Sequence, residues 1–369
     1  MSRVFAVEML PAGQGDAVVV EWGTRARSWQ LLVDAGPRPY WDGVRDRLKA
    51  RSRDAYEVFV ITHVDEDHIG GALELLDDVD LRSRIREVWF NGYVHCRAGS
   101  SVLGPIHGEQ LTSRIALGGF TWNTGFPHSP GPGTGGPVMV GDRAGLRWEA
   151  LPGGARIAIL APNGPKLSRL AGQWEQIVRR AGLVPGAGAP GEGAAVAARP
   201  RQAAALPVRL DRPALEELAS PPRAQRDSSA ANGSSIAFVI EYDGARVLLP
   251  GDAHAEPLTK NLARFGEWVG EPRPRFDLVK LPHHGSGANV TAAFVAALES
   301  SRWLVSSNGM GYAHPDDSAI ARVILGSPSA TFYCNYASDR TLPWQARAQE
   351  AGARFVLPRP GKEGLRVSV

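Results

Sequence analysis

Apolar residues recur in the first third of the chain as short runs, Phe5 to Leu10, Ala17 to Trp22 and Gln30 to Asp34. Each run is bounded by glycine or proline, and each predicts a β-strand. A helical spacing follows from about Tyr40 to Ala50, with Val44 and Leu48 on one face. The next strand, Val58-Phe59-Val60-Ile61, ends at Thr62, and Leu73, Leu75 and Leu76 predict a helix after Gly71. Strands alternating with helices argue a layered α/β core in which helices cover the sheet faces. The pattern lapses in the middle of the chain and returns at Ser235 to Pro250, two strands joined at Asp243-Gly244, which is a strong hairpin signal.

Between these parts, Pro185 to about Ser229 falls to Ala, Pro, Gly and Arg and reads as a linker or mobile insertion, interrupted by one short helix around Pro213 to Leu218. Ahead of it, Lys166 to Leu183 predicts an amphipathic helix through Leu167, Leu170, Trp174, Ile177 and Val178. Residues 126–136, rich in Gly and Pro, predict a surface loop. No internal repeat is present.

Composition changes this picture little. With 369 residues, 43% hydrophobic and 21% charged, the chain is an ordinary globular protein. Its net charge of +3, from 41 basic against 38 acidic residues, permits contact with polyanions without arguing for it. Two cysteines, Cys96 and Cys334, make neither a disulfide framework nor a zinc-ribbon spacing, so a reducing cytoplasm is expected. No leader follows Met1 and no apolar stretch is long enough to span a bilayer, so a soluble protein without membrane contact is expected. The arginines of Arg82 to Arg86 and Arg179-Arg180 are expected on solvated helix faces.

Candidate chemistry is concentrated where strands end. His63, Asp65, Asp67 and His68 fall within six positions directly after an apolar strand. Crowding two imidazoles and two carboxylates there is costly unless a cation neutralises them. The alternative, Asp67 as a simple helix cap, uses one carboxylate and explains neither histidine. Three further strands deliver Gly251-Asp252, His283-His284-Gly285-Ser286 and the loop holding Asn308 and His314. Asp16 and Asp34 are candidates to orient a histidine from behind, with simple turn roles as the alternative. Lys280 is a candidate for a substrate phosphate, against the commoner outer face of a strand. His95 is a candidate to enter the cleft, whereas His107, His128 and His254 lack a pattern and are expected at the surface.

Taken together, His63, Asp67, His68, Gly70 and Gly71 resemble the signature of the metallo-β-lactamase superfamily. Gln14-Gly15-Asp16-Ala17, Leu32-Val33-Asp34-Ala35-Gly36, the His-x-Asp-x-Asp-His form and Leu281-Pro282-His283-His284-Gly285-Ser286 are similar to the soluble domain of the ComEC-type competence proteins. The resemblance covers about residues 4 to 90 and 235 to 330. It implies a single four-layer αββα sandwich over 1–369 and does not reach residues 95–230, expected as a divergent insertion of which 185–229, by its composition, is flexible. It also implies a two-metal centre, His63 and Asp65 on one ion, Asp67, His68 and one of His283 or His284 on the other, with His284 the favoured of the two, and Asp252 between them. In that scheme His283 and His314 face substrate, Asp67 is catalytic as well as a ligand, and Asn232, Ser234 and Asn308 are auxiliary. Two departures stand out: Asp65 replaces a histidine of the usual signature, and the region of Asn232 to Ser235 lacks a further histidine ligand. Fewer nitrogens favour two Mn²⁺ ions, or Mg²⁺, with Zn²⁺ as the alternative. Such a pair lowers the pKa of a shared water and suits phosphodiester hydrolysis.

The leading expectation is therefore a nuclease acting on DNA in uptake or defence. The alternatives are a phosphodiesterase for a small substrate, such as a cyclic nucleotide or phosphocholine ester, and a non-catalytic metal-stabilised module. No protein partner is identified.

Overall fold

The computed structural model describes residues 2–51, 55–96, 105–127, 133–141, 146–181, 184–185, 205–220, 226–359 and 361–369. In chain order the strands are β1 (Arg3–Met9), β2 (Val18–Thr24), β3 (Ser28–Val33), β4 (Tyr56–Val60), β5 (Glu87–Trp89), β6 (Thr121–Trp122), β7 (Glu149–Ala150), β8 (Arg156–Ala161), β9 (Ala237–Tyr242), β10 (Ala245–Leu249), β11 (Leu278–Lys280), β12 (Arg302–Val305), β13 (Thr331–Cys334), β14 (Arg354–Val356) and β15 (Leu365–Ser368). They form two sheets of order β15-β1-β2-β3-β4-β5-β6 and β14-β13-β12-β11-β10-β9-β8-β7. Each sheet is antiparallel on one side and parallel on the other, from β3 to β6 in the first and from β10 to β14 in the second.

The two-residue period of the strands separates three cores. Phe5, Val7, Met9, Val18, Val20 and Trp22 of the first sheet face Ile157, Phe238, Ile240, Val247 and Leu249 of the second. Val19, Leu32 and Phe59, on the opposite face of the first sheet, pack with Val44 and Leu48 of the helix Trp41–Lys49 and Leu75 of the helix Glu66–Asp77. Val239, Leu248 and Val279 pack with Leu258 and Phe265 of the helix Ala255–Val269 and Ile320 of Asp317–Gly326. The result is helix, sheet, sheet, helix, the expected αββα sandwich.

The middle of the chain contributes to both outer layers. Helix Gly164–Arg180 buries Leu167, Leu170 and Trp174 on the first sheet's side. Helix Arg212–Ala219 buries Leu215 on the second side, where Arg322 Nε donates to the Ala219 carbonyl at 2.8 Å. Residues 205–220 are thus packed structure and not a linker, because Leu206, Leu210, Leu215 and Leu218 restore an apolar face within a low-complexity stretch. Residues 186–204 and 221–225, and His128, lie outside the described residues. Arg84 is also a correction: it is buried, donating to the Leu48 carbonyl and pairing with Asp80 at 2.7 Å. Among the described residues no helix is long and apolar enough to cross a membrane.

Candidate metal centre

The parallel halves of the two sheets end at one common edge. Thr62 and His63 follow β4, Gly251 and Asp252 follow β10, His283 and His284 follow β11, and Ser306 follows β12. A backbone bond from Ile236 N to the Thr62 carbonyl, 2.9 Å, ties the two edges. Gly71 lets the helix Glu66–Asp77 meet the loop after β3, since a Cβ there would overlap the Ala35 carbonyl oxygen. Gly251 holds φ of +51°, and its Cβ would overlap the Ser235 hydroxyl. Asp34, His283 and His284 also hold left-handed φ, +56°, +49° and +55°. Asp65, not Asp67, occupies the helix N-cap position, and its side chain makes no cap bond.

Four imidazoles converge on one oxygen. The Nε2 atoms of His63, His68, His283 and His284 lie 4.0, 3.3, 3.6 and 3.6 Å from Asp252 Oδ2. Asp67 Oδ2 lies 3.5 Å from His284 Nε2, and Asp65 Oδ2 3.6 Å from His63 Nε2. Each ring is held from behind at Nδ1: His68 by Asp34 at 2.7 Å, His284 by the Ser306 carbonyl at 3.0 Å, and His63 by the Thr62 hydroxyl at 3.0 Å. His283 Nδ1 faces Asn289 Oδ1 at 3.0 Å and Asp227 Oδ2 at 3.3 Å. An oxygen acceptor at Nδ1 fixes the proton there, so the inward Nε2 offers a lone pair whenever the ring is neutral.

Electrostatics follow from this crowding. Burial would raise Asp67, but His68 and His284 outweigh it and hold its carboxyl at about 2. Asp252 is likewise held well below the usual range, against burial, by His68, His283 and His284. Burial would lower the rings, yet Asp252 and Asp34 raise His68, and Asp252 and Asp16 raise His284 to about 9. Burial also pushes His314 down, opposed by Asp316.

The residues fit a divalent cation. His63 Nε2 and Asp252 Oδ1 are buried without a hydrogen-bond partner, and His68 Nε2 faces His284 Nε2 at 3.2 Å. Two acceptor nitrogens at that separation repel unless a proton or a cation stands between them. His63, His68 and Asp252 form one ligand-competent cluster, and Asp67, His68 and His284 another. Asp16, Asp34 and His68 also lie close, but there His68 Nδ1 bonds Asp34 and Asp16 pairs with Lys280, a hydrogen-bonded backing and not a second cation site.

Several sequence candidates take different roles. Lys280 is buried, its Nζ 2.6 Å from Asp16 Oδ2, and it faces no solvent. Ser234 donates to the Ala231 carbonyl, while its neighbour Ser235 bonds Asp252 N and approaches His63. Asn308 donates to the Tyr40 hydroxyl and stays in the loop. Asn232 lies beside His283 and bonds Asp227. His314 packs edge-on against His283 at 5.3 Å and stacks on half-exposed Tyr312 at 6.2 Å. His254 is buried and bonds Lys166, and half-buried His107 is near enough to feel Asp65 and Arg38, so neither is a plain surface residue. His95 packs on Trp122 at 4.6 Å, away from the cluster. Asp227 was missed because it borders the Ala/Pro/Arg-rich stretch; its signal was its place five residues before Asn232.

Residues 10–145 match the family model of the metallo-beta-lactamase superfamily. No curated protein matches the chain. The match spans His63 to His68, and the two packed sheets, flanking helices and His/Asp cluster at their common edge are consistent with the αββα sandwich of the metallo-beta-lactamase superfamily that this part of the chain matches.

Proposed function

We infer that the protein is a metal-dependent phosphodiesterase, a nuclease for DNA of the ComEC type working in the cytoplasm. The observation that carries the reading is the convergence of four imidazole Nε2 atoms on Asp252, with Asp65 and Asp67 beside them. His63, Asp65 and Asp252 would hold one divalent ion, and Asp67, His68, His284 and Asp252 a second. Two such ions, when bound, activate a shared water and offset charge on the oxygens of an in-line phosphoryl displacement. The chain's own residues do the rest. Asp34 and Ser306 keep the inward nitrogens of His68 and His284 aimed, and burial keeps bulk water from competing for them. Tyr312, exposed at the rim and within reach of the Asp67, Asp65 and Glu66 charges, supports a nucleic-acid substrate, because a free aromatic face beside a phosphodiester stacks on a base.

The test is Mn²⁺-dependent cleavage of plasmid and linear DNA by the wild type beside Asp67→Ala and Asp252→Ala. Cleavage by the wild type that disappears in both variants is expected. Absence of cleavage with Mn²⁺, Mg²⁺ and Zn²⁺ would refute the free-standing nuclease and direct attention to small phosphodiesters.

A further inference from the structure

Three of the four imidazoles facing Asp252 are backed by residues at the sheet edges: Asp34, Ser306, and Thr62 with Ser235. The fourth, His283, is backed from elsewhere. Asp227 arrives from the long segment between β8 and β9, outside both sheets, and places Oδ2 3.3 Å from His283 Nδ1. Its carboxylate is nearly buried and is engaged on every side. Asn232 Nδ2 and Asn289 Nδ2 donate to Oδ2 at 2.8 and 3.0 Å, and Ser229 N donates to Oδ1 at 2.9 Å. His254 Nε2 stands 3.5 Å from Oδ1, and Lys166 Nζ, also from this segment, stands 2.8 Å from His254 Nδ1.

The orientation of Asn289 fixes the sense of the contact. Its Nδ2 donates to Asp227 and to the carbonyls of Asp252 and Ala253, so its Oδ1 is the atom facing His283. Nδ1 of His283 therefore meets two oxygen acceptors, while the Asn232 amide nitrogen, 3.4 Å from it, donates instead to Asp227 at 2.8 Å, so Nδ1 carries the hydrogen and the Nε2 lone pair turns toward Asp252. A carboxylate behind an imidazole fixes its tautomer and raises its basicity toward a cation.

We propose that Asp227 is a positioning residue that holds His283 as a fourth imidazole donor of the metal centre, in place of the substrate-facing role expected for His283. This rests on the metal-centre reading above and not on the choice of substrate. The segment between β8 and β9 thereby completes the centre, supplying through Asp227 a carboxylate behind His283 in addition to the Asn289 amide oxygen.

The experiment is calorimetric titration of metal-stripped full-length protein with Mn²⁺, and separately Zn²⁺, in the absence of substrate. Wild type is compared with Asp227→Asn, His283→Ala and the double variant. Asp227→Asn is expected to weaken binding by about 10–100-fold, and the double variant to bind no more weakly than His283→Ala, because the carboxylate acts through the ring. Binding by Asp227→Asn as tight as wild type, or losses that multiply in the double variant, would overturn the proposal. Should Asp227→Asn fail to fold, nitrogen NMR of histidine-labelled wild type decides: the Nε2 resonance absent from His283→Ala must move when Zn²⁺ is added, and an unmoved resonance overturns the proposal. A wild type that binds neither ion overturns it together with the metal centre. A wild type that binds metal and cleaves no phosphodiester overturns only the substrate class.

Discussion

His95 shows how a titratable group behaves when burial outweighs the backbone groups, Gly135 and Gly92, that oppose it. Only 5% exposed, it packs edge-on against Trp122 with both ring nitrogens short of hydrogen-bonding geometry. Burial pushes its imidazole down to about 4. In the unfolded chain the ring titrates near about 6.5, so below that pH the unfolded state takes up a proton that the folded state refuses. Stability is therefore whole above about pH 6.5 and falls as the pH drops toward 4, by about 3 kcal/mol at most. His95→Phe removes this loss. In denaturant titrations of metal-free protein, the variant should gain on the wild type steadily between pH 7 and 4, whereas a gap that stays constant would show that the folded ring does accept the proton. His95 followed a strand, as the site residues do, and on sequence alone it was a fair candidate for the cleft. What separated it from His63 was direction: His95 turns into the helix layer and His63 to the sheet edge. Residue types cannot report direction.

At the scale of elements, β11 carries a charge where a buried parallel strand is usually apolar throughout. Lys280 and Asp16, each 2% exposed, meet at 2.6 Å. Burial would raise the Asp16 carboxyl, and Lys280 with His284 pulls it below the ordinary carboxylate range instead. Lys280→Met removes the nearest cation from that buried carboxylate and should cost about 3–5 kcal/mol in urea unfolding. The double variant Asp16→Asn/Lys280→Met should recover most of the loss, and a double variant as unstable as the single would refute the pairing. The elements themselves were legible. The apolar runs of β1 and β2 and the hairpin at Asp243-Gly244 emerge within a few residues of their expected bounds, because these strands are buried along most of their length. Helix Glu66–Asp77 was legible in its apolar half, Leu73 to Leu76, whereas it begins at Glu66 and carries Gly70 and Gly71 inside it instead of following them. The partner of Lys280 was not, since Asp16 is more than 260 positions away and only the closing of the sandwich brings them together.

For the whole molecule, a layered α/β core could be read from period and order and the four-layer αββα sandwich from the family resemblance, while the packing of the segment 205–220 could not. Its composition argued against a core, yet the four leucines of residues 205–220 place it on the second helix layer. A ligand that binds only the folded state stabilises it by about 2.7 kcal/mol at a hundredfold excess over its dissociation constant. Mn²⁺ or Zn²⁺ should accordingly raise the melting temperature of stripped protein, and the rise should vanish in Asp252→Ala. An equal rise in that variant would place the bound ion elsewhere.

The donors of the centre come from two sheets whose facing sides pack through apolar side chains. His63 and His68 move with β4, and Asp252, His283 and His284 with β10 and β11. The thickness of the hydrocarbon filling between the sheets, set near this edge by Val60 and Leu249, therefore gauges the gap that an ion must bridge. The interlayer works as the spacer of a calliper whose jaws are the two strand ends. An added or deleted methylene there would retune the grip on the ion, even though it touches none of the groups that hold it.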